Sequence, residues 1–210
     1  FAASMPPTTT FLLHFAESQN LPEAIAALCQ GKVVNTSENR PAWHTALRAG
    51  SEPAVMQVQE TMAAWVNKLH QQQWMGQNGK PIKDIIHMGV GGSDLGPKLL
   101  VDAIPGHPDA PHVHFVSDID DVDWARAMQT CQPESTLVIL ASKSFKTPET
   151  LLNATLAMDW FKEAGCDWSA QVIAVTANTA AAKEMGIKES HVLPIWDWVG
   201  GRYSISCLLY

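Results

Sequence analysis

The chain has little with which to hold a nucleic acid, a membrane or a metal. Lysine and arginine total 14 against 21 aspartates and glutamates, a net charge of −7. No basic block or arginine cluster offers a surface to a phosphodiester backbone, which argues against a nucleic-acid partner. Mild acidity does not exclude an anionic substrate, because a few local cations can still form a positive pocket. No apolar run approaches the ~20 residues that a membrane-spanning helix needs. The opening Phe1-Ala2-Ala3-Ser4-Met5-Pro6 lacks the basic region of a secretory leader and lacks an initiator methionine, as expected of a cut or incomplete N-terminus. Cys29, Cys131, Cys166 and Cys207 are far apart and form no CxxC pair, which reads as reduced thiols in a cytosolic protein. The eight histidines show no zinc-ligand spacing. His112 and His114 can share one face of a strand, but no cysteine or carboxylate completes a clear set. The run Gly89-Val90-Gly91-Gly92 lacks the full GxGxxG spacing and a ribose-binding acid, and it is not a Walker A loop. No serine elbow with its histidine and acid is visible. The expectation is a site without metal or organic cofactor.

What is present suits a packed domain. With 46% hydrophobic residues, the 210-residue chain can bury a substantial core, in one large domain or one domain plus an extension. Short helices are expected at Phe11–Glu17, Leu21–Leu28 and Pro41–Leu47, with a polar turn over Asn35–Pro41 between them. Residues 1–50 therefore read as a helical arm packed on the main domain. Ser51-Glu52-Pro53 starts a longer helix, in which Val55, Met56, Val58, Met62, Trp65, Val66 and Leu69 recur mainly at three- and four-residue intervals. From Ile82 the pattern alternates. Strand-like runs at 85–90, 113–116, 136–141, 172–176 and 191–195 flank helical candidates at 94–103, 121–130, 148–164 and 179–185. The strands are continuously apolar and rich in valine and isoleucine, which suits a parallel sheet covered on both faces. The expected architecture is α/β: a three-layer sandwich with a mainly parallel five-stranded sheet over residues 51–210.

Two strand-to-helix turns in this alternating region are built for an anion. The first is Gly91-Gly92-Ser93-Asp94, where glycine lets the backbone approach a ligand and Ser93 or Asp94 can alternatively cap the next helix. The second is Ser142-Lys143-Ser144-Phe145-Lys146-Thr147. Its hydroxyls and Lys143 suit a phosphate, Lys146 reads as solvated, and Thr147-Pro148-Glu149 reads as a helix start whose amides face the loop. A third element, Gly200-Gly201-Arg202-Tyr203-Ser204, adds a guanidinium suited to stabilising oxygen charge. Trp196 and Trp198 read as packing, and His87, inside a strand, as structural.

These motifs, in this order and spacing, resemble the glucose-6-phosphate isomerase (phosphoglucose isomerase) family. The resemblance runs from Phe11 to Ile205 and includes Asn35-Thr36-Ser37-Glu38-Asn39-Arg40, Gly89–Pro97, Ser142–Thr150 and Asp197–Ser204. It implies a cofactor-free enzyme that interconverts glucose 6-phosphate and fructose 6-phosphate by enediol proton transfer, cytoplasmic and homodimeric. By that similarity Gly92 and Ser93 contact substrate, and Ser142, Lys143, Ser144 and Thr147 bind its phosphate. Arg202 stabilises the enediolate, and Gly201 lets the chain approach beside it. The family's glutamate base and its ring-opening histidine and lysine fall in later sequence, and Glu149 does not match that base. Family members continue past Ile205 with a tryptophan and small residues, whereas this chain has Ser206-Cys207-Leu208-Leu209-Tyr210. The resemblance thus implies the first sugar-isomerase domain of a larger enzyme, inactive as an isolated chain. The alternative is a non-catalytic sugar-phosphate-binding or sensing module of the same fold.

Overall fold

A computed structural model describes residues 7–104 and 106–200. Where three helices are expected over the first fifty residues, two form, a hairpin follows, and the third is cut to a single turn. Helix α1 spans Pro7–Ser18 and α2 Leu21–Cys29. Strands β1 (Val33–Asn35) and β2 (Arg40–Pro41) pair antiparallel, and only Ala46–Ala49 (α3) is helical where Pro41–Leu47 was expected to be. The reason is local. Asn39 takes a left-handed φ of 50°, which closes the turn, and Pro41 sits on a short edge where a missing N–H costs nothing. Phe11, Leu12, Phe15 and Ile25 on α1 and α2 remain more than half exposed. The arm is tied down through Trp43, whose indole Nε1 donates to the Cys29 carbonyl at 3.0 Å.

The rest is an alternating α/β layer structure. After α4 (Pro53–His70) come β3 (Asp84–Met88), α5 (Leu95–Ala103), β4 (His112–Val116), α6 (Asp121–Met128), β5 (Thr136–Ala141), α7 (Pro148–Glu163), β6 (Val172–Thr176), α8 (Thr179–Glu184) and β7 (Val192–Pro194). The five strands lie in the order β4-β3-β5-β6-β7, and every pairing is parallel. Their continuous apolar sequence has its explanation in the packing, because both faces are covered. On one face Ile86, Met88, Val138, Leu140 and Ala174 meet Ala127 of α6, Ala154, Ala157 and Phe161 of α7, and Ala182 of α8. On the other, Ile85, Leu137, Ile139 and Ile173 meet Trp65 and Leu69 of α4, while Val58 and Met62 of that helix reach Val175 and Leu193. The three- and four-residue spacing in α4 is that contact stripe. The alternation puts the carboxyl ends of all five strands along one edge, where open parallel sheets place their ligands.

Candidate functional site

The first wall of the site follows β3, which ends at Met88, two residues before the expected Val90. Gly89 ends it. A Cβ there would stand 2.5 Å from the Ser93 carbonyl oxygen, so only glycine lets the Gly91–Ser93 turn fold back on the strand. The same carbonyl is bonded at 2.7 Å to Nε2 of His87. Burial holds the His87 imidazole below its ordinary pKa, partly offset by that bond. A neutral ring facing a carbonyl carries its proton on Nε2, so His87 pins the turn as a donor. Asp94 occupies the N-cap position of α5, but its side chain caps nothing among the described residues. It is buried, its carboxyl pKa is raised by that burial, and its Oδ1 has no hydrogen-bond partner among the described residues.

The second wall is the Ser142–Thr147 loop after β5, the neighbour of β3. The loop after β6 holds it from below. Ser142 N donates to the Val175 carbonyl at 3.1 Å, and the Lys143 carbonyl accepts from Ala177 N at 3.0 Å and Thr176 Oγ1 at 3.1 Å. Asn178 caps α8 through its Oδ1, which accepts from Ala181 N, while its Nδ2 donates to the Ser144 carbonyl at 3.0 Å. Phe145 is sunk into the core, 3% exposed, with a positive φ of 51°. Thr147 stands at the N-cap position of α7 ahead of Pro148, but its hydroxyl shares a 3.1 Å hydrogen bond with Ser142 Oγ instead of capping. The first-turn N–H groups of α7 are thus without a side-chain cap among the described residues, and their dipole end favours an anion.

A cleft of about 650 Å³ joins the walls, lined by Gly92, Ser93, Ser142, Lys143, Ser144 and Thr147. Arg202 and Gly201 lie outside the described residues. Gly200 is on the cleft's rim, held by a 3.2 Å hydrogen bond from its N–H to His44 Nε2. Trp196 and Trp198 stack on each other at 4.9 Å and pack with Leu47, Val55 and Val199, in keeping with the packing role expected of them.

Further residues join this cleft. Arg40, carried in by the β1–β2 hairpin, lines it with Thr150, Asn178 and Asp197. Arg40 is ion-paired with Glu38, and its Nε donates to Glu38 Oε2 at 3.0 Å. Lys143 Nζ donates to the Asp197 carbonyl at 2.7 Å. Burial, then the Arg40 charge, lower the Lys143 pKa, against the opposite pull of Asp197 and Glu38. Thr150 is buried, and its Oγ1 has no partner among the described residues. The sequence signal for Arg40 and Thr150 was their place in the quoted motifs. Nothing in spacing alone joins Arg40 to a loop a hundred residues away. Lysine, arginine, hydroxyls and an uncapped helix start in one cleft have the chemistry that suits a compact, multiply charged oxyanion.

Comparisons with known proteins give this chain its relatives. The model of the family described as phosphoglucose isomerase matches residues 6–209. A glucose-6-phosphate isomerase from Shewanella woodyi is 40% identical over 213 residues, covering 94% of this chain and 39% of that protein. One from Hydrogenovibrio crunogenus is 41% identical over 212 residues, with the same coverage of 94% and 39%. The crystal structure of a glucose-6-phosphate isomerase from Chlamydia trachomatis superposes with a TM-score of 0.76 at 25% identity, over 92% of this chain and 39% of the other. The chain spans 39% of the length of these relatives.

Proposed function

The chain belongs to the phosphoglucose isomerase family, and from that membership we propose that it supplies the phosphate-binding part of a glucose-6-phosphate isomerase. The observation that carries this reading is the cleft in which Lys143, Ser142, Ser144 and Thr147 face the Gly92-Ser93 turn. The phosphate of glucose 6-phosphate or fructose 6-phosphate docks on those hydroxyls, the lysine and the start of α7. Phosphate binding at one end fixes the sugar carbons at the other, so binding energy is spent on orientation. In the whole protein, a carboxylate base from sequence outside this chain moves the proton between C2 and C1. Arg202 stabilises the oxygen charge that grows as the proton leaves, and Gly201 keeps the approach clear. No cofactor enters this scheme. The full-length enzyme is proposed to be a cytoplasmic homodimer, and the isolated chain to bind ligand without turning it over.

Calorimetric titration with 6-phosphogluconate tests the binding. Saturable heat, competed away by inorganic phosphate, is expected; a folded chain with no heat and no phosphate-dependent rise in Tm refutes the reading. A coupled isomerase assay on chain freed of host enzyme tests the inactivity. Robust turnover that disappears in the Ser142→Ala/Lys143→Ala double variant would refute it and point to a base within this chain.

A further inference from the structure

The opposite edge of the sheet, where the strands begin, brings together a second set of chemically capable side chains. Asp84 opens β3, His112 and His114 lie on one face of β4, and Cys131 follows α6. The sequence offered the histidine pair no carboxylate or cysteine. The fold supplies both. Parallel register sets Asp84 opposite His112, and the α6–β5 connection brings Cys131 in from behind. His114 Nε2 lies 3.1 Å from Asp84 Oδ1, and His112 Nδ1 lies 3.9 Å from the same oxygen. One ligand atom each from Asp84, His114 and Cys131 falls within 4.8 Å of the others.

We infer that Asp84, His114 and Cys131, with His112 turning in as fourth ligand, form a structural zinc site. Donor chemistry selects the metal. Magnesium and calcium take oxygen cages, whereas a thiol, imidazoles and one carboxylate are a zinc set. Tetrahedral bonds of about 2.0–2.3 Å put neighbouring ligand atoms roughly 3.5 Å apart, between the 3.1 and 3.9 Å at which the two histidines stand from Asp84 Oδ1. The Cys131 thiol, within 4.8 Å of Asp84 and His114, would draw in on binding. One carboxylate and one thiolate balance the dication, so the loaded site is neutral. A groove of about 760 Å³ lined by Asp84, His112, His114 and Thr130 opens three of the four ligands to an ion, with Cys131 buried behind them. The His112 side chain is 86% exposed and has room to turn. The scaffold is rigid: Lys83 N donates to the Ser135 carbonyl at 2.8 Å, and His112 N to the Lys83 carbonyl at 2.9 Å. Zinc binds the thiolate, so loading the site would release the Cys131 thiol proton to solvent. The ion would clamp the starts of β3 and β4 to the α6–β5 connection. It sits at the strand ends remote from the phosphate cleft and takes no part in chemistry there.

Cobalt substitution of the metal-free 210-residue chain tests this directly. Addition of CoCl2 should give a thiolate-to-cobalt charge-transfer band and the intense visible bands of a tetrahedral ion, both bleached by one equivalent of ZnCl2. Zinc affinity, read by competition with a chromophoric chelator, should fall at least about tenfold in His112→Ala, by analogy with ligand-shell substitutions. That position is exposed and leaves the core intact. Cys131→Ser should abolish the charge-transfer band. A wild-type chain that shows only the weak bands of octahedral cobalt, or no thiolate band, overturns the assignment, and that result does not depend on any variant folding. Unchanged zinc affinity in a folded Cys131→Ser chain overturns it as well.

Discussion

Removing the amine of Lys143 should separate binding from folding. In Lys143→Ala the cleft loses its central cation, while the loop keeps the backbone bonds that hold it: Lys143 carbonyl to Ala177 N and Thr176 Oγ1, and Ser144 carbonyl to Asn178. A charge-assisted contact to phosphate contributes about 1.5–3 kcal/mol, or roughly a ten- to 150-fold rise in Kd on its loss. The cleft is open and Lys143 is only partly buried, so solvent screening sets the expected change near the lower end, about tenfold. The fold loses one hydrogen bond, from Nζ to the Asp197 carbonyl, worth about 0.5–1.5 kcal/mol. Paired measurements on the same preparations decide the matter: calorimetric titration with 6-phosphogluconate, and thermal unfolding without ligand. A large loss of affinity with a small loss of Tm is expected. Equal Kd for both proteins would refute the role given to Lys143. A collapse of Tm that accounts for all of the lost binding would refute its separation from the fold.

Three further substitutions have expected outcomes, the first from the proposed function and the other two from the geometry of the β3 end. Arg202→Lys in the complete enzyme should lower kcat more than it raises KM, because lysine keeps the charge but not the planar donor fork; an unchanged kcat with a raised KM would place Arg202 in ground-state binding. Gly89→Ala should destabilise the domain by about 1–3 kcal/mol in urea unfolding, since the new methyl meets the Ser93 backbone at 2.5 Å; wild-type stability would show that the turn yields freely. His87 should make the fold acid-sensitive. Its folded pKa is depressed by burial, so stability is full above the ordinary histidine value and is lost as pH falls below it, until the folded ring also protonates. His87→Gln should flatten stability between about pH 6.5 and the folded pKa, and an unflattened profile would assign that loss to another group.

The sheet was legible because its strands are buried on both faces. Runs such as Leu137-Val138-Ile139-Leu140 have no polar alternation to misread, and the same is true of Val172–Thr176. The β3 boundary was misjudged at Gly89-Val90, since apolar composition continues past the point where a steric contact with Ser93 ends the strand. The β1–β2 hairpin was invisible for the opposite reason: two strands of three and two residues carry almost no periodic signal. Gly92, Ser93 and the Ser142–Thr147 residues were readable as candidates because each motif is contiguous, and the fold brings the two loops to one cleft. Arg40 and the Asp84–Cys131 grouping depend on strand register and long connections, which no local pattern contains. Thr147 shows a subtler limit. Its position as an N-cap was readable, but the choice of its hydroxyl between the helix amides and Ser142 Oγ is settled only by the fold of the loop.

Phe145 fixes the shape that the Ser142–Thr147 loop would present to a ligand. A bulky residue with φ of 51° holds the backbone in a conformation that costs about 1–2 kcal/mol, and burying its ring to 3% exposure opposes the release of that strain. The loop is therefore set by the fold itself, and the proposed phosphate would not have to freeze it on binding. The proposed affinity would in turn be coupled to the interior. Phe145 shares its cluster with Phe161, Leu140 and Ala154, so a substitution that loosens this packing would be felt at the cleft as weaker binding without touching a single ligand contact.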